Sequence, residues 1–254
     1  KKPLSLAFAI PDHPWVDAGD GAAVRIAMTV AAPGPQPGRL FTVTEERRGE
    51  REAEGRPVTL SGQIGKIYAN LRIGADVAGA KSLRANSMLA HQGVIPVGEG
   101  FRVPYEAAEN KYVPEIKARV LRPYLNGRQF IAGAAPDYII DFFGISQAEA
   151  RRLYPDLYQI VLDSVKPQRD QVNRQVHRER WWVFAEPRAT MRPALDSIPR
   201  FVATCRTAKH RVFGFLDSKI LPDAKIIAIG HDDAWVLAVL SSTVHTTWSL
   251  ATGA

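Results

Sequence analysis

Glu115-Ile-Lys117 and Asp223-Ala-Lys225 each match the acid-x-Lys half of a nuclease metal site. Neither has a Pro-Asp a short way upstream on an adjoining strand, so neither completes that site. His231-Asp232-Asp233 offers metal-ligating types, but no second histidine stands at helical spacing, and the acids read as a helix cap. Asp17-Ala-Gly-Asp-Gly21 imitates a glycine loop for a nucleotide, yet such a loop must open a helix. The next residues, AAVRIAMTV, have the β-branched composition of a strand. Cys205 lies near His210 in sequence, and a thiolate catalyst needs a spatial pairing that sequence alone does not supply. No complete catalytic constellation results.

The basic residues carry more information. Residues 166–211 hold eleven Lys and Arg against four Asp and Glu, whereas the rest of the chain has 22 of each sign. The whole net charge of +7 therefore sits in this stretch. A local excess of this kind suits a polyanion, because each neutralised phosphate releases counterions. The competing reading is a solvated basic face.

The elements that must position these residues are of mixed type. Residues 4–10 and 22–32 read as strands, with 11–21 a loop between them. The PGPQPG run at 33–38 is a break and a candidate boundary, and 42–55 is a charged, exposed excursion. The segment 119–130 has a strand-like start (ARVL) and a turn expected at Asn126-Gly127, and 138–143 reads as a further strand. Ser146 and Glu149 form a capping box, and Pro155 can open the next helix. Pro167 should end or kink that helix, with Val172 and Val176 continuing at helical spacing. WWVF at 181–184 reads as a strand, and the Trp181-Trp182 pair as core. Residues 188–195 suggest a short helix. Strands at 201–204, 211–216 and 225–229 precede a final helix capped by Asp232 and running to about position 250. The class is α+β. A single cysteine excludes an internal disulfide, and no run is long enough to span a membrane, so a cytoplasmic location is expected.

The order of several phrases resembles the MmeI-like (type IIL) adenine-specific DNA methyltransferases, the fused restriction–modification enzymes. FAIPDHPWV followed by GAAVRIAMTV is similar to the last strands of their methyltransferase domain. GQIGKIYANLRIGADVAGAKSLRAN and HQGVIPVGEGF resemble the opening of their recognition region. VLRPYLNGRQF resembles a segment common in adenine-methyltransferase recognition domains, with Gln129 where Asp is usual. DFFGISQAEARRLYPDLYQIVLDSVKPQRD, WWVFAEPR, FVATCRTAKHRVFGFL and LPDAKIIAIGHDDAWVLAVLSSTVHTTWSL complete the order.

The resemblance implies that residues 1–35 are the last β-hairpin of a methyltransferase fold and that 36–254 form a target recognition domain. It places the Asn-Pro-Pro-Tyr-type catalytic motif and the S-adenosylmethionine loop upstream of Lys1. The fragment is then expected to bind no cofactor and to methylate nothing alone, its partners being double-stranded DNA and the methyltransferase core. In that frame Arg200, Thr204, Arg206, Thr207, Lys209, His210 and Arg211 are candidate base readers on a strand–loop–strand. Arg174, Arg178 and Arg180 are candidate phosphate holders, and Arg128 and Lys81 are added by the resemblance. Trp15 falls near the place of the aromatic residue that stacks on a flipped adenine. Two other classes remain open: a small metal-dependent nuclease using Glu115 or Asp223, and a protein-interaction domain of a phage-defence complex.

Overall fold

A computed structural model describes residues 3–15, 24–46, 57–77, 79–208 and 210–252, and within these not the side chains of residues 117 and 118. The chain falls into two compact units, Lys1–Ser82 with Trp248–Ala254 and Leu83–Thr247. The architecture is mixed α+β.

The first unit is a four-stranded sheet in the order β2-β1-β3-β4. Its strands are β1 (Leu4–Trp15), β2 (Val24–Pro33), β3 (Gly38–Glu46) and β4 (Val58–Gly65). β1 and β2 are antiparallel, while β3 joins β1 in parallel at Phe8 and Ala9. Gly38 allows this approach: a Cβ there would sit 2.0 Å from the Leu6 carbonyl oxygen. The expected boundary at 35/36 lies inside this sheet, and the charged stretch from position 42 continues β3 as far as Glu46. The core is small, made of Ala9, Leu40 and Ile67 with Leu6, Leu71 and Ile73 packed on them. β1 also takes in the PDHPW segment that sequence assigns to a loop. A register shift between Ile10 and His13 accommodates Pro11, which has no N–H to give a regular ladder.

The second unit holds two four-stranded sheets. One has the order β10-β9-β12-β5, from β10 (Phe213–Asp217), β9 (Arg200–Cys205), β12 (Ile226–Ile229) and β5 (Ala90–Gln92). The other has the order β11-β7-β8-β6, from β11 (Leu221–Pro222), β7 (Leu121–Leu125), β8 (Asp137–Ile140) and β6 (Arg102–Val103). Short helices connect and cover them: α1 (Tyr105–Lys111), α2 (Pro114–Arg119), α3 (Gly127–Ala132), α4 (Gln147–Leu153) and α5 (Pro155–Ser164). After these come α6 (Lys166–Asp170), α7 (Gln175–Glu179), α8 (Met191–Asp196), α9 (Ala234–Ser241) and α10 (Thr243–Thr252), the last of which belongs to the first unit from Trp248 onward. A single apolar cluster joins the two sheets to α1, α4, α5 and α8, with Phe101, Tyr124, Ile139, Phe142, Leu157 and Phe201 at or below 2% exposure. Burial of that many large side chains is the main stabilising term of the unit.

Local signals set several of these elements. The Ser146–Glu149 capping box opens α4, and Pro155 opens α5. Others are set by packing. WWVF is a turn after α7, in which Trp181 packs on Tyr158 and Phe184 on Phe101, because a short apolar run says buried without saying extended. The helix expected to carry Val172 and Val176 breaks between α6 and α7. The Arg178 Nη1 closes that break by donating to the carbonyls of Val172 (2.6 Å) and Asn173 (3.0 Å). Asp233, one residue later than expected, stands at the N-cap of α9. Ser242 then divides the last helix: its hydroxyl donates to the Val239 carbonyl and accepts the His245 N–H. Among the described residues no helix is long and apolar enough to cross a membrane.

Candidate nucleic-acid interface

Asn126-Gly127 is the start of a helix rather than a hairpin turn. The Asn126 Oδ1 accepts the N–H groups of Arg128 (2.9 Å) and Gln129 (3.0 Å), and the Gln129 Oε1 accepts the Asn126 N–H (3.0 Å). This reciprocal cap starts α3 and places Gly127 and Arg128 on its first turn. Gln129 has a further task, its Nε2 donating to Asp137 Oδ2 (3.1 Å) and to the Ala135 carbonyl (3.2 Å). An amide can accept on one side and donate on the other, which a carboxylate at this position could not do.

The start of α3 borders a cleft of about 870 Å³. Arg102 from β6, Arg128 from α3 and Lys225 from the β11–β12 turn line it, and all three are exposed. Thr207 and Ala208, from the β9–β10 loop, form another side, and Ile131 and Ala132 supply apolar wall. Asp223 is the one carboxylate among these lining residues, and it is already engaged. It accepts the Tyr124 hydroxyl and the Lys225 backbone N–H (2.8 Å). Burial, and then this bond to Asp223, push the Tyr124 phenol well above its ordinary range, so it remains a neutral donor. Burial works to lower the Arg102 pKa, but Tyr124, Glu99 and Asp223 outweigh it and raise it above its ordinary value. The lining is thus cationic, with a short apolar wall, as suits a polyanion with some flat apolar surface.

Cys205 closes the back of the cleft, its Sγ donating to the Gly127 carbonyl (3.4 Å). Burial pushes its thiol up, away from the thiolate form a nucleophile needs.

The strand–loop–strand expected from sequence exists, as β9, its loop and β10, but its side chains divide. Arg206 and His210 are exposed, and the loop is tied to the β11–β12 turn by the Arg206 N–H to the Lys225 carbonyl (2.7 Å). Thr207 faces the cleft. Arg211 instead turns back, its Nη1 donating to the carbonyls of Cys205 (3.3 Å) and Arg206 (3.4 Å), so it braces the loop. Thr204 is buried in β9, where it reaches no ligand. Arg200 lies 3.9 Å over the Phe215 ring and donates to the Asp232 carbonyl. Lys209 lies outside the described residues.

The basic stretch as a whole is largely structural. Arg169 and Arg192 are buried, Arg178 and Arg211 bind backbone carbonyls, and Arg188 and Lys166 pair with Glu186 and Asp170. Among the described residues, the Arg174, Arg180 and Arg206 side chains make no hydrogen bond or ion pair, which leaves them available to a ligand. Lys81 and Trp15 belong to the first unit, Lys81 exposed and Trp15 at the end of β1 with 46% exposure. Asp17–Gly21 lies outside the described residues. His231, Asp232 and Asp233 do cluster, with ligand atoms within 4.8 Å of one another, at the start of α9. Sequence reasoning missed Arg102, which has no local signature, and took Lys225 only as part of a tripeptide.

No protein-family model matches the chain, and no curated protein does either. A solved structure does match: the type IIL restriction–modification enzyme MmeI, in complex with DNA. The superposition has a TM-score of 0.62 at 15% identity and takes in 96% of this chain. The chain shares its fold with part of MmeI. It spans 32% of the MmeI chain, so the likeness concerns one portion of that enzyme. At this identity side chains in MmeI say nothing about which residues act here, and the assignment of the cleft rests on its own chemistry.

Proposed function

We propose that this chain is a duplex-DNA recognition region of an S-adenosylmethionine-dependent adenine DNA methyltransferase of the restriction–modification type, working in the cytoplasm. In this reading residues 1–35 supply the last β-hairpin of the methyltransferase fold, and the catalytic core and its cofactor belong to another part of the enzyme. The observation that carries the reading is the fold likeness, over 96% of the chain, to an enzyme solved in complex with DNA. The cationic cleft supports it, since Arg102, Arg128 and Lys225 come from separate elements and share one opening.

Phosphate contacts hold the duplex and base contacts read it. The three cleft cations and Arg174 and Arg180 suit the first task. Arg206, Thr207 and His210, on a loop braced by Arg211, suit the second, because a loop between strands can enter the major groove. Trp15, half exposed at the end of β1, is available to stack on an extruded adenine beside the core.

The test is retention of random duplexes by the protein at several salt concentrations, followed by sequencing. Enrichment of one short motif, with affinity falling steeply as salt rises, is the expected result. Salt-sensitive retention without a motif would mean that base reading needs the core. No retention at low salt would overturn the reading.

A further inference from the structure

Two arginines of the second unit are buried, and they are treated differently. Arg192 has a carboxylate, Asp141, at 2.6 Å. Arg169, on α6 and 1% exposed, pairs with no carboxylate among the described residues. Its Nε donates to the Val97 carbonyl (2.8 Å), and its Nη2 to those of Pro96 (2.6 Å) and Val183 (3.1 Å). Its Nη1 is buried and has no protein partner. Carbonyl dipoles return only part of what a guanidinium loses on leaving water, and a buried donor left unpaired adds to that cost.

Arg169 also lines a cavity of about 50 Å³, with Arg180, His177, Val176, Val183 and Phe184 among the other lining residues. The polar side chains there are all basic, and the lining holds no acid. Burial, followed by the charges of Arg169 and Arg174, holds the His177 imidazole below its ordinary pKa. Glu186, the acid that opposes this, is paired with Arg188 at 2.8 Å. The space is too small for a nucleoside but admits one compact anionic group.

We propose that this pocket binds a single phosphate group, held by the exposed Arg180 and by the positive charge of the buried Arg169 in its lining. The group is either free phosphate or one phosphodiester of a bound duplex. Only in the second case does the site extend the DNA reading above, as the contact that fixes register.

The test uses inorganic phosphate as probe, with ionic strength held constant by gluconate, and reads thermal stability and affinity. The wild-type protein is expected to show saturable stabilisation, and Arg180→Gln at least tenfold weaker phosphate binding. Arg151→Gln, an exposed change on α4, should behave as wild type. Arg169→Met is a second variant, but it removes three structural hydrogen bonds, so Arg180→Gln carries the decision. The absence of saturable stabilisation in wild type, or stabilisation unchanged in Arg180→Gln, overturns the proposal. Competition of phosphate with a duplex in wild type, lost in Arg180→Gln, identifies the phosphodiester as ligand. Simultaneous binding of both supports the site with free phosphate as its ligand. Phosphate binding in a protein that retains no duplex would remove the DNA reading and leave this one standing.

Discussion

Arg192 and Asp141 meet as a two-bond pair inside the second unit, Nη1 to Oδ2 at 2.6 Å and Nη2 to Oδ1 at 3.2 Å. They join α8 to the residue just beyond β8, and the guanidinium also lies 4.2 Å from the Phe143 ring. Removing one partner strands the other charge in the core, which typically costs about 3–5 kcal/mol. Arg192→Met is therefore expected to lower unfolding stability by roughly that amount, measured by urea denaturation. The double variant Asp141→Leu/Arg192→Met should recover much of the loss. A double variant as unstable as the sum of the singles would show that the pair is not the source.

In the cleft, Arg102→Ala, Arg128→Ala and Lys225→Ala should each weaken duplex binding and reduce the salt slope by about one. Arg200→Ala should leave that slope unchanged, because its guanidinium is held on Phe215 and the Asp232 carbonyl. Fluorescence anisotropy across a salt series measures both. Wild-type slopes in all three cleft variants would remove the cleft from the interface.

Arg211 should act differently from Arg206. Its hydrogen bonds hold the loop, so Arg211→Ala is expected to lower affinity by up to about tenfold with the salt slope unchanged. Arg206→Ala should lower the slope. A reduced slope in Arg211→Ala would make it a phosphate contact instead.

Cys205 should resist alkylation. Burial raises its thiol, so at pH 8 the folded protein should react on the order of tenfold or more slowly than the protein in urea. Equal rates would mean that the Cys205–Gly127 contact opens freely.

The Ser146–Glu149 box should leave a pH signature. The Ser146 hydroxyl, and then its backbone N–H, hold the Glu149 carboxyl below its ordinary pKa. A depressed carboxylate pKa stabilises the fold above the unfolded value of about 4.3 and loses that effect as pH falls through the folded one. The stability advantage of wild type over Glu149→Gln should thus be constant at neutral pH and shrink below about pH 4. An advantage that grows toward low pH would contradict the assignment.

Local chemistry made some elements legible and left others hidden. Ser146, Glu149 and Pro155 act within a few residues of themselves, so the starts of α4 and α5 follow from their neighbours alone. Asn126-Gly127 has the composition of a turn, as expected from sequence, but the pair also suits a helix cap and starts α3. The choice came from Gln129 reaching back to the Asn126 N–H. The basic stretch was visible as a number but not as a surface. A guanidinium that binds a carbonyl and one that faces solvent read alike in sequence, and several of the arginines in 166–211 proved to be internal braces.

By itself the sequence determined the α+β class, the short-range caps and the local excess of positive charge, all properties of neighbours in the chain. Tertiary structure alone decided which cations share an opening. Arg102, Arg128 and Lys225 are far apart in sequence and meet because β6, α3 and the β11–β12 turn converge around Tyr124 and Asp223. Such a meeting depends on long-range strand pairing, β7 with β8 and β11 and β8 with β6, whose partners no local pattern names. Tertiary packing likewise sets Arg192 against a carboxylate and leaves Arg169 among carbonyls, so equal residues in one basic run acquire different work.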